Sequence, residues 1–534
     1  DGDPDTHGGG PCISCSHRVP GDFDSITSAV DAASDGDAIC VEPGSYPEAG
    51  INFGGKGLQL VGLAGPGATT IDGEQGGTVL LIDDGEGGDT VVEGFTVRGG
   101  YSDRGGGIRV EAASPTLRNL VVTDNHAYQS AEDTGIGGGI LLDQSSASLA
   151  RIVASSNVAD DDGGGIWIRD STLALEDVDA SANTAGLYGG GIYSEDSDLT
   201  MLAVRLADNE AGIHGGGMWL GGGVSTFTRG EVTGNATDSC EECQGGGLSL
   251  SWANAAVQGV TVSRNSSHEG GGIAVSGVAS LRDVAITHND AVSRGGGLYL
   301  HDGTALLDRL RVAGNLGGNG GGIYAEIAEL ELTGGVIAGN TATDSGGGLQ
   351  LVDTTAVITS ATLVANVAQD RGGGIYLASP TLSAQNITVS HNLATEWGGI
   401  YLLAGPDPEL RYCNVGGNTG GDLAHFASDP TGSSGNLSLV PEFLDIGADD
   451  PEEWDVHLIA GGALADGGNP TWLDPDGSPS DIGAHGAESA GLWDLDLDGY
   501  PLWWQPGDYD HGAYPAQGWD CDDADETVYP DHGC

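Results

Sequence analysis

The sequence predicts an all-β chain wound as a right-handed parallel β-helix, with three short strands in each coil. Three observations carry that prediction. Glycine triplets begin at Gly105, Gly137, Gly163, Gly189, Gly215, Gly245, Gly270, Gly295, Gly320, Gly346 and Gly372, mostly 25 or 26 residues apart, with a degenerate copy at Trp397-Gly398-Gly399. An Asn stands five or six residues ahead of most triplets, at Asn157, Asn183, Asn209, Asn265, Asn289, Asn315, Asn340, Asn366 and Asn392. Apolar residues alternate around these marks, as Leu281, Val284 and Ile286 do before Asn289 and Leu298 and Leu300 after the next glycines.

Alternation with period two marks strands, because successive side chains of a strand point to opposite faces. A unit of ~25 residues with three such strands has no core of its own, so neighbouring units must stack. Stacked coils lie ~4.8 Å apart, the spacing of strands in a sheet. A residue at one fixed place per coil then falls in register with its copies. The Asn series is therefore expected to form a ladder in which each side-chain amide bonds the next. The glycines are expected at a tight corner, or where another backbone approaches closely. No Lys-Ser/Thr follows them, so a phosphate loop is excluded.

Composition narrows the function. The 534 residues include 17 basic and 78 acidic side chains, for a formal charge of −61. Such a surface repels nucleic acid and anionic membranes, and favours divalent cations, high salt or neutral glycans. Regularly spaced apolar residues make up 38% of the chain, which argues for an ordered acidic protein over a disordered one. No apolar run approaches the ~18 residues of a membrane span. The chain begins at Asp1, as a processed mature form would. Eight cysteines beside a single lysine, Lys56, suit an oxidising extracellular or cell-surface setting. Cys12-x-x-Cys15 and Cys240-x-x-Cys243 lie too many coils apart to share a zinc ion. Each is expected to be a local staple or half of a nearby disulfide, with Cys40 and Cys413 left unpaired.

The block Asn-x-Ala-x-x-x-Gly-Gly-Gly-Ile-Tyr resembles the repeat of chlamydial polymorphic outer-membrane proteins, which are surface adhesins. The Phe that those repeats carry three residues before the Asn is replaced here by Val262, Ile286, Val312, Ile337, Leu363 or Val389. The opening "DFDSITSAVDAASDGDAICVEPGSYPE" resembles secreted bacterial pectin-lyase-like β-helix proteins. That resemblance implies a short cap helix carrying Ile26, Val30 and Ala33, followed by a first coil beginning at "VEPGSY". "DPDGSPSDIGAHG" (474–486) resembles their terminal coil. The resulting organisation is an N-terminal segment (1–23), a cap with the first coils (24–100), the repeat β-helix (101–420), terminal coils (421–488) and an acidic module (489–534).

The residue after the first apolar strand position points outward, and down the stack it reads Trp167, Tyr193, Trp219, Tyr299, Tyr324, Tyr376 and Tyr401, with Ser249, Ala274 and Gln350 interrupting. Two readings stand. Aromatics favour outward sheet positions and stack on their neighbours, and a flat aromatic stripe also suits sugar rings or another chain. Related β-helices cleave polysaccharides with clustered Asp residues, or with Ca²⁺ and Arg or Lys. Here the acids, such as Asp160-Asp161-Asp162, are scattered through turns, and the near-uniform copies set no site apart. No catalytic residue is assigned. His214 and His301 are read as surface residues.

The last segment drops the repeat. Asp494-x-Asp496-x-Asp498-Gly499 places carboxylates at the first, third and fifth positions of a calcium loop, with glycine at the sharp turn. The twelfth position is Gln505 rather than Glu, and Asp520, Asp522, Asp523 and Asp525 are expected to complete the sphere. Hard oxygen donors select Ca²⁺. The "DxDxDGY…DCDD" pattern resembles a metal-binding module appended to secreted bacterial β-helix proteins, and that likeness places Tyr500 among the ligands. A Cys521–Cys534 disulfide is expected to close its loop. The expected protein is an extracellular, calcium-stabilised structural or adhesive β-helix. Its partners would be its own copies, neutral glycans or other surface proteins. The open strand edges of a solenoid would allow head-to-tail assembly, with Ca²⁺ or high salt offsetting the like charge. A polysaccharide lyase or glycoside hydrolase is the alternative.

Overall fold

The computed structural model describes residues 14–130, 134–238, 240–459, 461–474 and 478–485. The chain winds as a parallel β-helix of about 16 turns. Strands of successive coils pair in parallel and in register, as in Ile166↔Ile192↔Met218↔Leu248. The inward residues of every coil join one core running from Val19 to Val415.

Each coil is angular because left-handed residues punctuate it. In one coil these are Gly163 (φ 67°), Asp170 (48°), Asp177 (54°) and Ala182 (53°). Between them lie the strand Ile166–Arg169 and the strand Thr172–Ser181, bent at Asp177. In later coils the second strand splits at the same corner into Thr304–Asp308 and Arg311–Ala313. This gives the three strands expected per coil. A fourth, two-residue segment such as Thr184–Ala185 follows the Asn and pairs in a separate sheet.

The Asn residues are buried at the last of these corners. The Oδ1 of Asn209 accepts the backbone N–H of Asn183 (3.0 Å) and its Nδ2 (3.0 Å), while Asn183 Nδ2 also donates to Ala154 O in the preceding coil (2.8 Å). Each amide thereby satisfies its own buried atoms and an N–H that the corner leaves without a strand partner. The same pattern runs through Asn157, Asn265, Asn289, Asn315, Asn340, Asn366 and Asn392. It extends to Asn125, Asn235 and Asn418, and Asp422 caps the last amide.

The second and third glycines of each triplet face the backbone of the next coil. A Cβ on Gly272 would sit 2.7 Å from Gly297 O and 2.9 Å from Asn289 Nδ2. No side chain fits there.

The helix Ile26–Ala32 covers the first coil with Ile26, Ala29 and Val30. Ser25 caps it, and Glu48 accepts the backbone N–H groups of Ile26 (2.7 Å) and Thr27 (2.8 Å), which places a carboxylate on the unpaired amides at the positive end of the helix. Cys15 and Cys40 form a disulfide across one coil step, so Cys40 is paired, contrary to expectation. Cys240 and Cys243 close a local loop, and Cys413 is free and buried.

The described residues of 421–488 differ most from the expected terminal coils. The stack continues only to Leu437, which bridges Asn414. The chain then turns back as a strap over the outer face of earlier coils. The antiparallel pair Phe443–Asp445 and Asp455–Leu458 packs Phe443, Trp454 and Val456 against Val336, Ala338 and Val364. Arg311 Nη2 donates to the carbonyls of Pro451 (3.1 Å) and Trp454 (2.8 Å). Farther on, Thr388 Oγ1 donates to Ile482 O, and Thr362 Oγ1 accepts from Ala484 N.

Candidate functional site

The outer face of the sheet that follows the glycines carries in-register lines of side chains. In the line just before the triplets, Tyr188, His214, Gln244 and Glu269 bridge in succession. The aromatic line runs beside it, Trp167↔Tyr193↔Trp219 and then, after Ser249 and Ala274, Tyr299↔Tyr324, with Tyr376↔Tyr401 beyond Gln350. The rings of Trp167, Tyr193 and Trp219 stack, as do those of Tyr376 and Tyr401, whereas Tyr299 and Tyr324 are tilted by 40°. Tyr193 and Trp219 lie 4.7 Å apart and Tyr376 and Tyr401 5.4 Å apart.

These rings do not form a flat exposed stripe. Trp167, Tyr193, Tyr299, Tyr324 and Tyr401 are buried, and Trp219 and Tyr376 are half-buried. The cause is local. The first glycine of each triplet turns the chain so that the ring settles into the crease it leaves; a Cβ on Gly163 would sit 2.7 Å from Trp167 Cβ. Burial pushes the Tyr299 and Tyr324 hydroxyls up to about 12.

Guanidinium groups close the crease at three places. Arg169 lies 5.1 Å from the Trp167 ring centre and bonds Asp143 at 2.6 Å. Arg294 lies 5.4 Å from Tyr324 and bonds Glu326 at 2.9 Å. Arg371 lies 5.3 Å from Tyr401 and bonds Glu396 at 2.9 Å. Each cation is thus held between a ring face and a carboxylate of an adjacent coil. At the N-terminal end, Arg104 pairs with Glu111 (2.6 Å) and Asp143 (3.3 Å), and Arg109 pairs with Asp83.

One carboxyl stands apart. Asp162 occupies the slot before Gly163, and burial pushes it up to about 7, helped by the charges of Asp161 and Glu195 and opposed by a hydrogen bond from Tyr188 N (3.2 Å). It keeps its proton to far higher pH than an ordinary carboxyl, an arrangement that permits acid–base work. His214, stacked 5.3 Å from Tyr188, is held below its ordinary value by burial and accepts a hydrogen bond from Gln244 N at Nδ1 (3.2 Å). His301 is more open and stacks on Tyr299.

No family profile and no curated protein matches the sequence. Solved structures of similar architecture include the A-module of a mannuronan C-5 epimerase from Azotobacter vinelandii, at 14% identity and a TM-score of 0.25, covering 78% of this chain and 94% of that one. The catalytic unit of an α-1,3-glucanase from Streptomyces thermodiastaticus matches at 13% identity and a TM-score of 0.26, covering 80% and 67%. A pectate lyase matches at 12% identity and 0.21, covering 89% and 97%. Nothing about the chemistry of this chain follows from likeness at this level.

The proposed calcium ligands Asp494, Asp496, Asp498, Tyr500, Asp520, Asp522, Asp523 and Asp525, and the Cys521–Cys534 pair, lie outside the described residues. Among the described residues no helix is long and apolar enough to cross a membrane. Asp162 is the group that sequence reasoning passed over. Its signal was position, since the acidic run ends against Gly163 in a slot that Tyr188 fills one coil later.

Proposed function

We propose that this protein is an extracellular structural or adhesive β-helix that binds neutral glycans or other surface proteins and is stabilised by calcium through its C-terminal acidic segment. The observation that carries this reading is the repeated clamp of Arg169, Arg294 and Arg371, each committed to a ring and a carboxylate of the coil stack. Those cations brace the coils, leaving polyanions little to grip on a chain of charge −61. Two disulfides among the described residues support the extracellular setting. Head-to-tail assembly through the solenoid ends belongs to the same reading, with calcium offsetting subunit repulsion. Binding of the immobilised protein to neutral polysaccharides and to polygalacturonate, with calcium and with chelator, tests it. Retention of the neutral polymers alone supports the reading; preferential retention of the polyanion refutes it.

A second reading rests on Asp162. A buried carboxyl raised to about 7 under the influence of Glu195 is the type of group that can protonate a glycosidic oxygen. Reducing-end release from neutral glycans by the wild type, lost in Asp162→Asn, would favour it.

A further inference from the structure

The strap carries a second cluster, built on residues that take no part in the crease. His288 occupies the left-handed corner before ladder residue Asn289 (φ 54°). The strap turn seats against it in a notch made by two glycines at the same corner of the next coils. A Cβ on Gly314 would stand 3.0 Å from His288 Nε2, and one on Gly339 would stand 2.6 Å from Pro451 Cβ. Seated there, the turn brings two carboxylates to one imidazole. Asp450 Oδ1 lies 3.1 Å from Nε2, and Glu452 Oε2 lies 3.6 Å from Nδ1. One donor atom from each of the three side chains lies within 4.8 Å of the others.

Two further observations point to a cation. His288 Nδ1 is closed off from solvent and has no hydrogen-bond partner, and the same is true of Asp455 Oδ2 on the strap. Stranded buried donors and acceptors are costly and mark the places where an ion or water belongs. The strap turn is also rich in carboxylates: Asp450, Glu452 and Asp455 all lie close enough to act on the Arg311 guanidinium.

We infer that His288, through Nδ1, and Glu452 bind one divalent metal ion that clamps the strap onto the β-helix, with Asp450 accepting from the other ring nitrogen and fixing the imidazole's orientation. An imidazole nitrogen beside a carboxylate selects a first-row transition ion, zinc above all, over calcium and magnesium, which prefer all-oxygen sites. The separation of 3.6 Å between Nδ1 and Glu452 is near the ~3.3 Å edge of a tetrahedral site with ~2 Å bonds. The ion satisfies Nδ1, and the clamp is independent of the calcium expected at the C-terminal motif.

Chelator-stripped full-length protein, titrated calorimetrically with zinc chloride and separately with calcium chloride, tests the inference. The expected result is a zinc site that is lost in His288→Ala, is at least about tenfold weaker in Glu452→Gln and is not displaced by calcium. His391→Ala is the control, because His391 occupies the same corner of another coil and touches strap residue Phe443. It should leave the zinc isotherm unchanged. Zinc isotherms that coincide for wild type and His288→Ala would overturn the inference, as would absence of zinc binding in the wild type or equal loss in His391→Ala.

Discussion

Asn315 Oδ1 accepts two hydrogen bonds from Asn289, one from its backbone N–H at 2.9 Å and one from its side-chain amide at 3.0 Å. Asn315 in turn donates to Ile286 O at 2.8 Å. Asn315→Ala therefore strands two donors and one acceptor in a buried corner. We expect a loss of about 3 kcal/mol, read as a lower urea midpoint, with hydrogen exchange rising first in the coils of Asn289 and Asn340. A midpoint within error of wild type would count against the ladder as a source of stability.

The glycine triplets make a paired prediction. Gly272→Ala pushes a methyl against Gly297 O and should cost more than about 2 kcal/mol. Gly67→Ala meets nothing within 4 Å and requires no left-handed backbone, so it should be neutral or stabilising by up to about 1 kcal/mol. Thermal melts of the two variants side by side check the contrast.

Asp162 sets a pH dependence whose sign is fixed. Its carboxyl rises from 3.8 to about 7 on folding, so between these values the folded state holds a proton that the unfolded state has released. Stability from this group is present below about pH 4 and is lost as pH climbs to 7. Asp162→Asn should therefore match wild type near pH 4 and exceed it by about 2–4 kcal/mol at pH 8. Parallel melting curves across that range would show that the carboxyl titrates normally.

Arg311 holds the strap through the carbonyls of Pro451 and Trp454. Arg311→Ala should leave the coils folded and expose residues 440–460 to proteases. Mass spectrometry of early cleavage products reads this directly, and cleavage no faster than in wild type would mean that the apolar contacts of Phe443 and Val456 suffice.

The coil was legible in the sequence wherever its phrase kept step. Asn125 and Asn235 escaped notice because insertions separate them from Gly137 and Gly245, and Asn418 because no triplet follows it. Alternation identified Trp167 and Tyr193 as outward, but the left-handed glycine that folds them into a crease is a backbone property invisible to a pattern of polar and apolar letters. The partner of Cys40 was readable, since Cys15 lies 25 residues earlier, one coil step. The strap was harder, because its contacts span long separations, such as the 143 residues from Arg311 to Trp454. One trace of it does exist. In the line Asp179↔Arg205↔Glu231↔Thr261↔Ala285↔Arg311↔Val336↔Thr362↔Thr388, the outward residues turn from charged to small or apolar as they approach the covered face, Arg311 excepted, which bonds the strap itself.

The central claim is that the long outer crease braces a binding scaffold and does not cut its ligand. The most direct measurement is size-exclusion analysis with mass spectrometry of neutral polysaccharides incubated with the purified protein in calcium, with wild type and Asp162→Asn compared. The account predicts polymers of unchanged length that co-elute with both proteins. Shortened products from the wild type that disappear with Asp162→Asn would contradict it.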